Sequence, residues 1–444
     1  MKKLIKNALI VNEGSTRKGA VLLNNDTIEQ IYWEELPSEC DAEVIDAEGL
    51  YLLPGVIDDH VHFREPGLTD KADLASESAA AVAGGVTSIM DMPNVQPQTT
   101  TLEALQQKFA LAATKCHVNY SFYFGATNKN TALLPLLDPT EVCGVKLFMG
   151  ASTGNMLVDN KQTVRTIFET SPVLVAVHCE DSSRIKENAA RIRKAYGETA
   201  SIHFHPIIRD AEACYASSSI AVELAKKTKA RLHLLHLTTG KELELLSDLP
   251  IQEKRITAEV CLPHLLFSSD DYTTLGSAIK CNPAIKEKHE REALRQAITT
   301  NRIDVIATDH APHLLSDKQG GCLQAASGMP MLQYSLISMI ELVREKVLSL
   351  EQVVQKMCHA PAQLFQIEKR GFIREGYKAD LTLVDPSITW TLTNEDIKSK
   401  CGWSPLENRT FHSRVVKTFV NGHLIYNQGT INEAPKGEKL HFKR

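Results

Sequence analysis

The sequence predicts an α/β fold, a (β/α)8 TIM-type barrel that carries a small, discontinuous β-sandwich side domain built from both chain ends. From residue 54 onward, short apolar runs alternate with amphipathic stretches, which is typical of βα units around a parallel sheet. Short β-rich runs separated by Asn, Asp and Gly turns occupy the segments before and after. We therefore expect the side domain at residues 1–53 and 371–444 and the barrel at residues 54–370.

Amphipathic segments of suitable length for crossover helices, such as 102–114, 209–227 and 289–299, separate the apolar runs of the barrel. The tail at 432–444 is expected to be loosely ordered. The eight predicted barrel strands are 56–63, 86–92, 118–124, 144–149, 173–178, 232–237, 256–261 and 303–308.

Charge and cysteine usage narrow the class of protein. The 49 Lys and Arg residues against 54 Asp and Glu give a net charge of −5, which disfavours nucleic acid or an anionic membrane as the main partner. The ten Cys residues form no Cys-x-x-Cys pair, which indicates reduced thiols in a cytoplasmic protein. Neither a signal peptide nor a membrane span is expected. A homo-oligomer is compatible with the sequence, which does not determine the oligomeric state.

His60 and His62 close the first predicted barrel strand. Because side chains alternate along a strand, the two imidazoles point to the same side and can bind one metal ion. On this pair alone, two satisfied polar residues in a loop are an equally good interpretation.

Further metal ligands follow other predicted strands. His178, His236 and Asp309 each stand where an apolar run ends, and barrel enzymes build their active sites at the carboxyl ends of the strands. Several imidazoles and one carboxylate that surround a single point are the usual ligands of hydrolytic zinc sites. The sequence therefore predicts a zinc centre at this end of the barrel.

Lys146 lies inside the apolar fourth strand, where a second metal would need an anionic bridge and no carboxylate is present. Burial should lower the pKa of this lysine, and a neutral amine can capture carbon dioxide as a carbamate. The alternative is a lysine that extends to solvent or pairs with Asp309.

Three segments resemble the dihydroorotases of the amidohydrolase superfamily, and the match covers nearly the whole chain. PGVIDDHVHFREPG at 54–67 resembles their first-strand signature, and IATDHAPH at 306–313 resembles their eighth-strand signature. GYKADLTLVD at 376–385 is similar to the superfamily's return to the side domain. The lysine in GVKLFM at 144–149 is similar to the carbamate-bearing branch, whereas some dihydroorotases carry a metal-binding Asp instead.

The resemblance implies two Zn²⁺ ions per chain, bridged by a Lys146 carbamate and a hydroxide. His60, His62, the carbamate and Asp309 would bind one ion, and the carbamate, His178 and His236 would bind the other. His233, three residues before His236, falls on the opposite face of its strand, where a packed or exposed histidine is the better interpretation.

Substrate contacts are implied as well. In the family, residues corresponding to Arg64, Asn94 and His313 hold the substrate carboxylate, and a guanidinium suits that group because it offers two planar donors. Asn282 and the backbone of residues 327–330 would contact the substrate ring. Without the resemblance, Arg64 would be interpreted as a surface ion pair with Glu65 or Asp70, and Asn94 as a turn residue.

The implied reaction is the reversible hydrolysis of the cyclic amide of (S)-dihydroorotate to N-carbamoyl-L-aspartate in de novo pyrimidine biosynthesis, with Asp309 as general base and acid. One alternative is a related cyclic amidase, such as an allantoinase or a dihydropyrimidinase. The other is a non-catalytic scaffold on the same fold, which should purify without stoichiometric zinc.

Overall fold

A computed structural model of the chain describes residues 2–33, 41–150, 156–432 and 437–444. The chain begins with a mixed sheet in which β1 pairs antiparallel with β2 and parallel with β4 and β5, while β2 pairs antiparallel with β3. The strands of this first part are β1 (Lys2–Asn12), β2 (Ser15–Asn24), β3 (Thr27–Tyr32), β4 (Glu43–Asp46) and β5 (Tyr51–Pro54).

Parallel strands then form the predicted barrel. All eight predicted strands are present, the third in two pieces, β8 and β9, interrupted only at Tyr123. A parallel bridge between Val61 and His310, with the N–H of His62 donating to the carbonyl of His310 at 2.8 Å, joins the first strand to the last and closes the barrel. The strands are β6 (Val56–Val61), β7 (Val86–Asp91), β8 (Asn119–Phe122), β9 (Phe124–Gly125), β10 (Val145–Met149), β11 (Val175–Cys179), β12 (Leu232–Leu234), β13 (Ile256–Cys261) and β14 (Val305–Ala307).

Helices connect the barrel strands, and side-chain caps determine where several of them begin. The Asp210 carboxylate accepts the backbone N–H of Ala213, so the predicted crossover segment 209–227 becomes helical only after Asp210. The helices are α1 (Leu74–Ala83), α2 (Leu102–Lys115), α3 (Lys161–Thr170), α4 (Ser182–Tyr196), α5 (His205–Ile208), α6 (Ala211–Thr228), α7 (Leu262–Leu266), α8 (Tyr272–Leu275), α9 (Lys288–Thr299), α10 (Gly321–Gln324), α11 (Ser335–Arg344), α12 (Leu350–Val354) and α13 (Ala360–Phe365).

Short irregular helices complete the connections. A π-helix, Gln355–His359, lies between α12 and α13. The 3-10 helices are Thr131–Leu136, Ile202–Phe204, Lys241–Leu245, Ile251–Glu253, Ser269–Asp271, Gly276–Ile279, Leu315–Lys318, Leu332–Tyr334 and Asn394–Asp396. Within the described residues, no helix combines the length and the apolar composition needed to cross a bilayer.

The C-terminal strands return to the sheet formed by the start of the chain. β5 pairs with β1 on one side and with β15 on the other, so both chain ends share one sheet, as predicted for the side domain. Ile5, Val21, Leu381 and Phe419, from both ends of the chain, share one buried core. The strands are β15 (Leu381–Asp385), β16 (Trp390–Thr391), β17 (Thr410–Phe411), β18 (Arg414–Val420), β19 (His423–Asn427) and β20 (Thr430–Ile431). The exact domain boundaries stay a prediction.

The end of the chain packs against the barrel. Leu440 and Phe442 are buried in a cluster with barrel residues such as Ile57 and Tyr123, and the N–H of Leu440 donates to the carbonyl of Tyr120 at 2.8 Å. The prediction of a loosely ordered tail is therefore wrong for residues 437–444, because two apolar side chains in this polar segment are buried in the barrel core. Residues 433–436, in the same predicted tail, lie outside the described residues.

Candidate active site

A cleft of about 240 Å³ opens at the carboxyl ends of the barrel strands. All ten side chains predicted to bind metal or substrate line it, although they come from distant parts of the sequence. Their positions agree with the rule that barrel enzymes place reactive groups at this end. The ten residues are His60, His62, Arg64, Asn94, Lys146, His178, His236, Asn282, Asp309 and His313.

Three of these side chains converge as one group that could hold a metal ion. Nε2 of His60 and Nε2 of His62 lie 3.3 and 3.0 Å from Oδ1 of Asp309. The other ring nitrogen of each histidine has an acceptor, because Nδ1 of His60 lies 2.5 Å from Glu259 and Nδ1 of His62 lies 2.8 Å from Asn94. When a metal is bound, Nδ1 would carry the only proton of each ring, so that both Nε2 atoms would offer a lone pair toward the cleft, as ligation requires.

His178 and His236 form a second group beside the first. Nδ1 of His178 and Nε2 of His236 are 2.8 Å apart, and Nε2 of His178 lies 2.9 Å from a carboxylate oxygen of Glu180. Burial lowers the pKa of both imidazoles, which favours the neutral form that binds metals. The two rings therefore present nitrogen ligands to one point.

Lys146 is almost completely buried in the cleft floor, with its Nζ 4.7 Å from the ring of Phe148. It neither extends to solvent nor forms an ion pair within 4.0 Å with any described residue, Asp309 included, so neither part of the sequence-based alternative holds. Burial lowers the pKa of Lys146 to about 8. A substantial fraction of the amine is then neutral near pH 8, as carbamate formation requires.

The charge of Asp309 persists despite its burial. Burial raises its pKa, but the His60 charge and the hydrogen bond from His62 outweigh that effect and lower the pKa to about 2. Asp309 also has a positive φ of 47°, as do His236 at 40° and Arg64 at 66°. Left-handed backbone at residues other than glycine is strained, and such strain is concentrated at functional sites.

Two carboxylates that support the ligands escaped the sequence analysis. Glu259, in the middle of β13, accepts from Nδ1 of His60 and, at 3.0 Å, from the backbone N–H of His236. Glu180 accepts from His178 and pairs with Arg209. The sequence feature that could have revealed them is an acidic residue inside or just after an apolar strand, because an unpaired charge would be costly there.

His233 is packed inside the barrel. The sequence had left open whether this histidine is packed or exposed. It is fully buried, its Nδ1 lies 2.9 Å from Oγ1 of Thr257, and its Nε2 lies 3.3 Å from Asp59 and 3.4 Å from Glu259. Burial lowers the pKa of His233, but the two carboxylates outweigh that effect and raise it to about 9. His233 therefore balances buried negative charge beneath the cleft.

Arg64 and His313 lie side by side on the cleft wall. Arg64 is only 7% exposed, its Nε donates to the carbonyl of Pro312 at 3.0 Å, and its Nη2 lies 3.2 Å from Nε2 of His313. It pairs with neither Glu65 nor Asp70; Glu65 instead pairs with Lys115. A buried guanidinium whose contacts in the described residues include no carboxylate suits an anionic ligand.

Asn282 and the loop after β14 complete this wall. The side-chain oxygen of Asn282 is buried and has no hydrogen-bond partner among the described residues, so it can accept from a ligand. Ser327 and Gly328 line the cleft, whereas Met329 pairs with His310 and Pro330 is not part of the lining. Gly328 has a φ of 131°, and a Cβ there would lie 2.6 Å from the carbonyl of Ala311, so glycine is required.

Comparisons with known proteins agree with this fold. A model of the amidohydrolase family matches residues 51–425. The dihydroorotase of Methanosarcina acetivorans is 32% identical over 450 residues, covering 98% of this chain and 94% of that protein. The dihydroorotase of Carboxydothermus hydrogenoformans is 33% identical over 437 residues, covering 96% and 98%.

Solved structures show the same architecture. The L-hydantoinase (dihydropyrimidinase) from Arthrobacter aurescens is similar with a TM-score of 0.92 at 25% identity, covering 97% of each chain. A dihydropyrimidinase from Brevibacillus agri has a TM-score of 0.89 at 23% identity over the whole of both chains. The chain therefore belongs to the amidohydrolase family, as a relative of its dihydroorotases.

Proposed function

We propose that this enzyme catalyses the reversible hydrolysis of (S)-dihydroorotate to N-carbamoyl-L-aspartate, a step of de novo pyrimidine biosynthesis. One observation carries the choice of substrate. The buried cation Arg64 lies in the same cleft as the convergent histidines, so a ring that bears a carboxylate can be held while its amide faces the ligand groups.

The donor set fits two zinc ions. His60, His62 and Asp309 would hold one ion, His178 and His236 would hold the other, and a carbamate on Lys146 would bridge them. The acceptors on the second nitrogens of His60, His62 and His178 support this assignment, because metal-binding histidines almost always carry such partners. When bound, zinc supplies Lewis acidity, which polarises a carbonyl and lowers the pKa of water.

Binding groups of the chain orient the ring. Arg64, with His313 and Asn94, would hold the substrate carboxylate, and the unpaired oxygen of Asn282 would accept from a ring N–H. Holding the ring at both its carboxylate and its N–H leaves little rotational freedom, which is how a binding site contributes to rate.

Asp309 would carry the proton. It is ionised at neutral pH, and it lies within contact distance of the histidines that surround the reaction centre. It can accept the proton of the attacking water and deliver it to the departing ring nitrogen, and the reverse transfer serves ring closure.

A neutral cyclic amide is the second candidate substrate, because the fold is so similar to that of an L-hydantoinase (dihydropyrimidinase). A neutral ring would leave Arg64 buried without an anion, which is costly. A non-catalytic scaffold remains the candidate of a different class, and the complete ligand set argues against it.

The test is a substrate panel followed by ultraviolet absorbance on protein purified without chelator. We expect kcat/KM for dihydroorotate to exceed that for dihydrouracil, hydantoin and allantoin by at least about 100-fold, since a site that binds a polar group rejects analogues lacking it. Faster turnover of a neutral ring would contradict the proposed substrate, and a metal-free, inactive protein would favour the scaffold.

The cellular compartment is part of the same proposal. No disulfide bond joins two cysteines of the described residues, and all of these cysteines except Cys401 are buried. A long chain with several cysteines and no disulfide framework is typical of a reducing compartment, so we place the enzyme in the cytoplasm, where its small-molecule substrate would be made.

A further inference from the structure

Lys71 lies on the cleft wall beside His313, away from the metal-binding groups. Its Nζ is 3.1 Å from Nδ1 of His313 and 3.1 Å from a carboxylate oxygen of Asp317. Backbone hydrogen bonds connect it to the first-strand loop, because Leu68 donates to Arg64 and Lys71 donates to Leu68. The loop that carries Arg64 therefore also places Lys71, a second cation, on the cleft wall.

The contacts of His313 indicate which of its nitrogens carries the proton. Nδ1 lies 3.1 Å from the Lys71 ammonium, which has only donors, and 3.6 Å from the carboxylate of Asp317, which is too far for a hydrogen bond, so this geometry favours Nδ1 as an acceptor and Nε2 as the protonated nitrogen. Nε2 lies 3.1 Å from the carbonyl of Ser327, which can accept that proton. Nε2–H and the Nη2 of Arg64 are then two donors 3.2 Å apart on one wall of the cleft.

The surroundings of His313 keep it neutral. Burial lowers the pKa of His313, and the nearby charges of Arg64, Lys71 and Lys318 lower it further, to about 3, against the opposing charge of Asp317. The imidazole is thus a neutral donor at the pH of any ordinary assay. The positive charge of this wall resides on Arg64 and Lys71.

We propose that Lys71 is a positioning residue of this cleft, which holds His313 as an Nε2–H donor and adds positive charge beside Arg64 for an anionic ring substituent. The inference rests on the proposed function, in which Arg64 and His313 bind the substrate carboxylate. It adds a residue that acts through His313 and through its charge.

A purely structural role predicts something different. The side chains of Lys71 and Asp317 are 23% and 32% exposed, and partly exposed ion pairs contribute little to stability. If the ion pair mattered only for stability, removing either partner would have the same small effect, and substrate charge would be irrelevant.

Kinetics of holoenzyme variants separate the two roles. Lys71→Met should raise KM for dihydroorotate about tenfold with kcat within about twofold, because the contact that orients His313 and the positive charge near the bound carboxylate are lost equally from ground and transition states. KM for the neutral dihydrouracil should not change. Lys71→Arg also offers only donors, so it should restore KM to within about threefold of the original enzyme.

Asp317→Asn is the matched control, since it breaks the same ion pair but leaves the cation in place. It should not raise KM for dihydroorotate. An equal rise in KM for Lys71→Met and Asp317→Asn, or an unchanged KM in Lys71→Met with bound zinc retained, would overturn the inference.

Nitrogen-15 NMR of labelled histidines gives a readout independent of activity. The signals of His313 are identified as those that disappear in His313→Gln. In the unmodified enzyme their shifts should be those of a neutral ring protonated at Nε2, and in Lys71→Met they should move toward those of the Nδ1–H tautomer. A Nδ1–H ring in the unmodified enzyme would refute the inference. Failure of that enzyme to hydrolyse dihydroorotate would instead refute the proposed function, and the tautomer measurement would still decide the role of Lys71.

Discussion

Nδ1 of His60 lies 2.5 Å from Oε1 of Glu259, a residue 199 positions later in the chain. The same oxygen accepts the backbone N–H of His236, so one buried carboxylate connects both groups of metal-binding histidines. This connection makes Glu259 a support for the whole metal centre, although it binds no substrate in the proposal.

Glu259→Gln should weaken zinc binding about 10- to 100-fold, the usual cost of losing a partner that orients a ligand. Competition with a coloured chelator measures the affinity directly. Glu242→Gln is the control, because Glu242 is equally buried but its carboxylate is held by Ser218 and Thr239. Equal zinc affinity in the Glu259 variant and the parent would contradict the role of Glu259.

Lys146→Ala should lose nearly all activity, because no other residue on β10 can supply an anionic bridge. A short carboxylic acid added to the assay should restore part of the rate, since it can occupy the vacated space. Lys146→Met fills that space and should not be rescued. Full activity of the alanine variant without any added acid would show that the bridge is elsewhere.

Arg64→Met should lower kcat/KM for dihydroorotate at least about 100-fold, because leaving one member of a desolvated charge pair unpartnered costs about 3 to 5 kcal/mol. Zinc content should be unchanged, since Arg64 contacts Pro312 and His313 and no predicted metal ligand. If this variant processed dihydroorotate normally, neither the role of Arg64 nor the choice of dihydroorotate as the substrate would hold.

Asp309→Asn should slow hydrolysis and ring closure together, because the same carboxylate carries the proton in both directions. In the parent enzyme the two directions should show opposite pH profiles. Ring opening creates an acid with a pKa of about 4, so above that value each pH unit favours the open product by about tenfold. Rates of hydrolysis and of ring closure measured between about pH 5.5 and 9.5 test the pH profiles. An Asp309→Asn variant impaired in one direction only would refute the role of Asp309 as proton carrier.

His264 should make folding stability depend on pH. It is buried with Nε2 3.1 Å from the carbonyl of Pro283, and burial lowers its pKa from 6.5 to about 4. The unfolded chain therefore binds a proton that the folded chain does not, so this contribution is complete above pH 6.5 and decreases as the pH falls toward 4.

His264→Gln keeps a hydrogen-bond donor for Pro283 but cannot titrate. When the pH falls from about 7.5 to 5.5, the free energy of unfolding should therefore decrease by about 1 kcal/mol more in the parent enzyme than in this variant. Urea unfolding at both pH values measures it. The control is His289→Gln, at a side chain that is 76% exposed. An identical pH dependence in parent and His264→Gln would contradict the prediction.

The sequence by itself determined the fold class and ten of the side chains that line the cleft. Alternation along β6 is a local property, so it places His60 and His62 on one side without knowledge of the rest of the chain. The carboxyl ends of parallel strands share one edge, so His178, His236 and Asp309 had to meet there once the strands were recognised. The metal and substrate roles of these residues stay predictions.

Only the tertiary structure decided which partners support these side chains. Glu259 and Glu180 are single acidic residues in apolar surroundings, and the periodicity of their own strands does not reveal the histidines they face. Lys71 and His313 are 242 positions apart, and Leu440 is buried in the barrel core although its segment is polar. Such contacts depend on the packing of distant segments in three dimensions, whereas sequence patterns report neighbours along one strand or helix.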